Sequence, residues 1–251
     1  ITCRDWSSDV CSSDLLVETR RPAGLVGGLS KRGYASRTIQ GVEYHHARTA
    51  DGGDLFLTRY GRPFAEQLHP ENWLANPWFE THRKRLRGTS VIYRVPTQPV
   101  RGRTLDLIVR FNRMGEDLPV DTVTLGSFPN ADFNTPFEEV AAVMALRRAR
   151  IGSPRRIMAT KRPLAIYSPP ERFEAWQTGR REYRMAAKQR RLPEISLDRR
   201  RRYLLVYGWI KGIDAQDAAD QFGSERGERM RDQVMAEVQG DLAQAGFRVL
   251  D

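Results

Sequence analysis

Two carboxylates and one cluster of ionisable side chains are where this sequence could do chemistry. Glu139 lies in TPFEEVAAVMALRRAR (Thr135–Arg150). At 100° per residue it shares one helical stripe with Ala142, Val143 and Leu146. A carboxylate on an apolar face is costly unless it is paired, so Glu139 calls for a cation from elsewhere in the chain. Glu138 sits on the flank and serves as a cap instead. Asp251 closes AGFRVLD, where a long amphipathic helix gives way to a short apolar strand and then a carboxylate. Glu43, His45, His46, Asp51 and Asp54 can be drawn as a metal cluster. Tyr-His-His in a strand and Asp-Gly-Gly-Asp in a turn is the simpler reading, and no metal is assigned there. Neither a Walker-type phosphate loop nor a hydrolase nucleophile elbow occurs.

The front of the chain is set aside. Asp5–Asp14 reads DWSSDVCSSD, followed by Leu15. This resembles a translated sequencing adapter, with a Ser/Asp-rich disordered tail as the alternative, and residues 1–15 are left out of fold reasoning. Both cysteines, Cys3 and Cys11, fall inside it. The remainder offers no disulfide, no thiolate metal site and no cysteine nucleophile, which fits a reducing cytoplasm. Arg4 against Asp5, Asp9 and Asp14 gives that segment −2, so the rest rises from +10 to +12. Such a charge attracts polyanions. The densest runs are HRKRLR (82–87), GRREYRMAAKQRR (179–191) and DRRRR (198–202). They read as solvated faces or loops, with a nucleic-acid surface as the alternative. Tyr183 is the only aromatic in the middle run, too few for a base-stacking platform. No run approaches the ~18 apolar residues of a membrane span.

Elements must position the candidates. Residues 16–81 read as an irregular N-terminal extension containing a strand at Leu55–Gly61 and aromatics Trp73, Trp78 and Phe79 over one apolar surface. TSVIYRV (89–95) and LDLIVRF (105–111) are β-branched strands, joined as a hairpin by PTQPVRGRT. Gly115, Pro119, Gly126 and Pro129 punctuate a loop. Thr135, Pro136 and Glu138 match a capping box with proline at the first helical position. Another strand lies within 155–169, then an Arg-rich surface insertion, partly helical, at about 171–202, then the buried strand YLLVYGWI (203–210). Ser224 is placed as the cap of the final helix, along which Met230, Val234, Val238 and Leu242 recur at every fourth residue. Gly246 ends it.

In this order the elements resemble the N-terminal lobe of a protein kinase running into the start of its C-terminal lobe. The resemblance spans about residues 86–251. It rests on LRGTSVIY, LIVRF, the helix with Glu139, LLVYGWIKG and Val249-Leu250-Asp251. Against the nucleotide-covering loop G-x-G-x-x-G-x-V, Gly88 takes the second glycine's place, Ser90 the third's and Ile92 the valine's, with Tyr93 following. A plain strand start is the alternative. Arg110 stands where the family has the lysine that meets the α/β-phosphates, and Glu139 is the matching helix glutamate, with Val140, Val143 and Leu146 after it. A structural salt bridge between the two is the alternative, and arginine's planar fork is not a neutral replacement for lysine. Tyr207 would guard the back of the adenine pocket, and Gly208 and Trp209 would present backbone groups to the adenine edge. Asp251 would be the catalytic-loop aspartate that orients the acceptor hydroxyl and takes its proton. The family's H-R-D is Val-Leu-Asp here, and a strand-terminating aspartate without a role is the alternative.

The expectations are then as follows. The fold is α+β, a kinase-like lobe of antiparallel sheet plus one key helix, with the first helix of a truncated helical C-lobe. The divisions are 1–15, 16–81, 82–212 and 213–251. The resemblance implies ATP and magnesium as cofactors, the magnesium ligands lying beyond residue 251, and γ-phosphoryl transfer to a hydroxyl on a protein substrate, in the cytoplasm and without a membrane partner. As a fragment the chain is expected to be inactive by itself. Downstream of Asp251 the family pattern implies Lys two residues on and Asn five on, with an Asp-x-Gly within about 25 residues. A pseudokinase, that is an ATP-binding regulatory or scaffold module, is the second reading. A basic nucleic-acid-binding protein is the third.

Overall fold

Four sequence stretches alternate their apolar residues between two faces, and both faces are buried. On Asp106–Phe111, Leu107 and Val109 point one way and Ile108 the other; on Leu204–Gly208, Leu204 and Val206 oppose Leu205 and Tyr207. Leu55 and Leu57 likewise oppose Phe56, and Ala165 and Tyr167 oppose Ile166. A strand's side chains alternate sides, so such runs demand cover above and below. The computed structural model describes residues 33–86, 90–117, 132–151, 156–157, 160–212 and 215–247. Its centre is an eight-stranded sheet in the order β1-β2-β3-β9-β10-β6-β5-β4. These strands are β1 (Ala35–Ile39), β2 (Val42–Arg48), β3 (Asp54–Leu57), β4 (Lys84–Arg85), β5 (Ile92–Pro96), β6 (Asp106–Phe111), β9 (Pro163–Ser168) and β10 (Leu204–Gly208). Every pairing is antiparallel. A separate two-stranded ribbon joins β7 (Arg150–Ile151) to β8 (Arg156–Ile157).

Two hairpins are set by their turns. Gln40 and Gly41 link β1 to β2, and Arg101 and Gly102 lie at the tip between β5 and β6; all four have positive φ. Two consecutive left-handed residues match the twist of antiparallel strands, and glycine at the second place removes the Cβ clash. The strands expected at 89–95 and 105–111 therefore occur as a hairpin, at Ile92–Pro96 and Asp106–Phe111.

One face of the sheet is covered by α2 (Pro136–Arg148), through Phe137, Val140 and Met144, which follows α1 (Trp78–His82) in the chain. The capping box is complete: Glu138 N–H donates to Thr135 Oγ1 at 3.1 Å, and Thr135 N–H donates to Glu138 Oε2 at 2.8 Å. The opposite face is covered by residues 62–82, where Trp73 is fully buried and its ring meets Tyr167 edge-on. The expectation that Trp73 and Phe79 cover an apolar surface is met, and Trp78 joins them by donating its indole N–H to Pro96 O at 2.8 Å.

Three expectations need correction. Residues 35–57 are not an irregular extension: they supply three strands, and β3 pairs directly with β9. The signal was present as alternation of Val42 and Tyr44 across Glu43, beside a Gln-Gly turn. Second, the Arg-rich insertion is not only surface. Its helix α3 (Glu182–Arg191) buries Met185 and Lys188, and Leu192 and Ile195 beyond it join the core against α2. Several of its cations are paired. Arg172 pairs with Asp198, Arg199 with Glu182, Arg200 with Glu174 and Arg201 with Asp54, and the buried Arg180 donates to the carbonyls of Asp198, Arg199 and Arg201. Third, Gly223 rather than Ser224 is the N-cap of the final helix α5 (Ser224–Gln244), which follows α4 (Ala215–Gln221). At its far end Phe247 N–H reaches Leu242 O and Gly246 N–H reaches Ala243 O, with Gly246 at φ +79°. This glycine-terminated closure satisfies two end carbonyls. Leu242 is buried, whereas Met230 and Val234 of its stripe remain exposed. No described helix is long and apolar enough to cross a membrane.

Candidate functional site

Glu139 meets the cation its burial demanded. Arg110, on β6, places Nη1 2.6 Å from Glu139 Oε1, with side-chain exposures of 19% and 11%. The helix cap sets the rotation of α2 that aims Glu139 at the sheet. The alternation of β6 sends Arg110 to the same face as Ile108. Tyr207, on the neighbouring β10, donates its hydroxyl to the same Oε1 at 2.9 Å. Burial, then the adjacent Glu139 charge, holds the Tyr207 phenol well above its ordinary pKa, so it stays a protonated donor. Sequence reasoning saw Tyr207 only as a pocket guard and missed its bond to Glu139, because nothing local in LLVYGW links it to a residue 68 positions earlier.

Arg110 also reaches forward. Its Nη2 lies 3.4 Å from Ser90 Oγ, and Ser90 is 2% exposed. Ile92 sits directly opposite Arg110 in the β5–β6 register. Ser90 is therefore the residue of this strand start that the guanidinium reaches, and Ile92 is its cross-strand neighbour. Gly88 lies outside the described residues, and so does Asp251, whose relation to Arg110 and Glu139 rests on the sequence alone.

Gly208 and Trp209 follow Tyr207 at the end of the sheet. Gly208 N–H donates to Arg162 O at 3.1 Å and Trp209 N–H to Asp106 O at 2.9 Å. Those donors are engaged within the sheet, so the groups these two residues would offer an adenine edge are carbonyls. The Trp209 ring is half-buried and packs under Arg94, whose guanidinium carbon is 4.7 Å from the ring centroid. Arg94 in turn pairs with Asp106 at 2.8 Å.

Behind the ion pair is an aromatic wall. Phe137 touches Tyr44 and Phe56 edge-on at centroid distances of 5.5 and 5.3 Å. Tyr44 is fully buried, burial pushes its phenol up, and its hydroxyl has no hydrogen-bond partner among the described residues. Sequence reasoning put Tyr44 in a strand but missed its burial against Phe137, which lies more than ninety residues on in the chain.

Of the residues drawn above as a metal cluster, Glu43 instead accepts the Ser36 hydroxyl at 2.8 Å, and His46, Asp54 and Asp51 fall into two small networks. His46 Nε2 donates to Asp54 Oδ1 at 2.9 Å, and Arg201 Nη1 meets Asp54 Oδ2 at 2.5 Å. Asp51 takes the Thr49 hydroxyl, the Gly53 N–H and the Tyr167 hydroxyl, closing the Asp-Gly-Gly-Asp turn. Among the described residues no group of three His, Cys, Asp or Glu side chains converges to hold a metal ion. Burial pushes the Asp54 carboxyl up. Its hydrogen bonds to Arg201 and His46, with the charges of Arg201 and Arg48, outweigh that and set it below its usual range. A depressed carboxyl stabilises the fold above its unfolded pKa, and that contribution is lost as pH falls through the folded value. Acid titration followed by circular dichroism will show stability holding to about pH 4 and declining below it. Asp54→Asn will remove part of that decline.

No family model, no curated protein and no solved structure matches the chain.

Proposed function

We propose that this chain is part of a divergent protein kinase-like phosphotransferase, whose intact form would move the γ-phosphoryl of Mg-ATP to a hydroxyl. The observation that carries the reading is the ion pair between Arg110 and Glu139. In kinases a lysine on the third strand of the lobe pairs with a glutamate on the one helix of that lobe, and the pair must be in place for catalysis. Here Arg110 is on β6, the last of the consecutive strands β4, β5 and β6, which follow β1–β3 in the same sheet, and the helix after β6 supplies the carboxylate. Ser90 Oγ within 3.4 Å of Arg110, Ile92 opposite Arg110 in the register and β10 ending in Gly208 support this reading. Arg110 would hold phosphate oxygens and the Trp209 region the base. No described residue would hold magnesium.

The same fold used as an ATP-binding regulatory module is the second reading. It is favoured by arginine in place of lysine and by the Tyr207 hydroxyl on Glu139 Oε1, which makes the pair self-contained. A nucleic-acid surface is less favoured, because Arg172, Arg199, Arg200 and Arg201 of the insertion already have carboxylate partners.

Thermal unfolding of the protein extended past Asp251 tests this. Mg-ATP at a hundred times its Kd should raise stability by about 2.7 kcal/mol. Arg110→Ala should abolish the shift. Equal shifts with and without Arg110 would sink both kinase-fold readings, and a duplex DNA affinity falling steeply with salt would revive the third. Phosphate transfer by the extended protein separates the enzyme from the module.

A further inference from the structure

Tyr60 lies in the turn after β3, and its phenol oxygen sits between two guanidinium groups. Arg59 Nη2 donates to it at 2.7 Å, and Arg147 Nε approaches at 3.5 Å. Both guanidinium carbons also lie over its ring, 4.8 and 5.1 Å from the centroid. Arg147 comes from the last turn of α2 and is anchored by the carbonyl and hydroxyl of Thr160. The partners of the two arginines are thus a phenol, a carbonyl, a hydroxyl and an aromatic ring, all neutral. This sets them apart from Arg172, Arg199, Arg200 and Arg201 of the insertion, which are met by carboxylates, and from Arg180, which is held by backbone carbonyls. Burial pushes the Tyr60 phenol up, yet the hydrogen bonds and charges of Arg147 and Arg59 bring it below its usual range. Among the described residues, the charges bonded to this phenol are therefore both positive.

We propose that Arg59, Tyr60 and Arg147 form a binding site for a phosphate group. Guanidinium forks match phosphate oxygens in charge and geometry, and the phenol O–H adds a third donor. The phosphate could arrive as a free ion or monoester beside the phenol. It could also be carried on the Tyr60 oxygen itself, where the two arginines would hold it as an arginine cluster holds a phosphotyrosine. Either way it would tie the turn after β3 to the C-terminal end of the helix that bears Glu139. Glu139 and Arg147 are eight residues apart on α2, about 12 Å along its axis, so this site is separate from the ion pair and does not depend on the nucleotide reading.

Thermal unfolding of the chain in inorganic phosphate, against chloride at matched ionic strength, tests the free-ion source. Phosphate at ten times its Kd should raise Tm by about 3–5 °C. Arg59→Gln and Arg147→Gln should lose the rise, and Arg172→Gln should keep it. The second arm places phosphotyrosine at position 60 during translation. A Tm above that of the unmodified chain, lost with Arg59→Gln, would assign the phosphate to Tyr60 itself. Arg59 is exposed, so its variant keeps the test valid if Arg147→Gln does not fold. No stabilisation in either arm, or a rise unchanged by both arginine variants, overturns the site.

Discussion

Glu139→Ala is expected to lower Tm by roughly ten degrees or more, because removing one partner of a buried ion pair costs about 3–5 kcal/mol. The variant leaves Arg110 charged at 19% exposure and takes away the acceptor of the Tyr207 hydroxyl. Arg110→Ala should cost a similar amount by stranding the carboxylate. The double variant should cost less than the two singles together, since the pair acts as a unit. Arg110→Met with Glu139→Leu is the informative combination. Well-packed apolar replacement of a buried pair is often neutral or stabilising, so this protein should fold while losing any Mg-ATP-induced shift. If the double apolar variant keeps an unchanged nucleotide shift, the pair is structural alone. Arg110→Lys shortens the reach to Glu139 and gives up the planar fork; it should cost little stability and strengthen nucleotide binding if the kinase-like reading holds. Differential scanning fluorimetry with and without nucleotide reads all five variants.

Lys188→Ala is the second large effect, and it addresses the insertion. Lys188 is 1% exposed, and its ammonium lies 2.8 Å from Asp132 Oδ2. Asp132 is itself mostly buried and has Arg184 at 3.6 Å as its other cationic neighbour. Truncation at 188 removes a buried stem and leaves a carboxylate without its nearest cation, at a cost of about 3–5 kcal/mol. Arg190→Ala, two residues along and exposed, should change stability by about 0.5 kcal/mol or less. Chemical denaturation curves compare the two directly. Were the insertion a solvated appendage, both substitutions would be silent. A large loss at 188 with none at 190 shows that α3 is part of the core against α2.

The sequence by itself determined those features governed by local chemistry. The capping box of Thr135 and Glu138 with Pro136 specified where α2 begins, because all its partners lie within four residues. β-branched runs such as LDLIVRF marked the central strands, and PTQPVRGRT between two of them marked a hairpin. Burial logic alone demanded a cation for Glu139, and LIVRF supplied a candidate in Arg110. What only the tertiary structure decided were long-range matters. That Ala35–Ile39 and Val42–Arg48 extend the sheet depends on β3 finding β9 more than a hundred residues away. Tyr207 reaches Glu139 only because β10 lies beside β6. Lys188 is buried because Met185, Leu192 and Ile195 fold its helix inward, an apolar pattern hidden among arginines. The convergence of Arg59 and Arg147 on Tyr60 joins a turn to a helix end 87 residues later. A charge written in sequence states a capacity; whether it is solvated, paired or left facing a neutral oxygen is settled by which distant segment packs beside it.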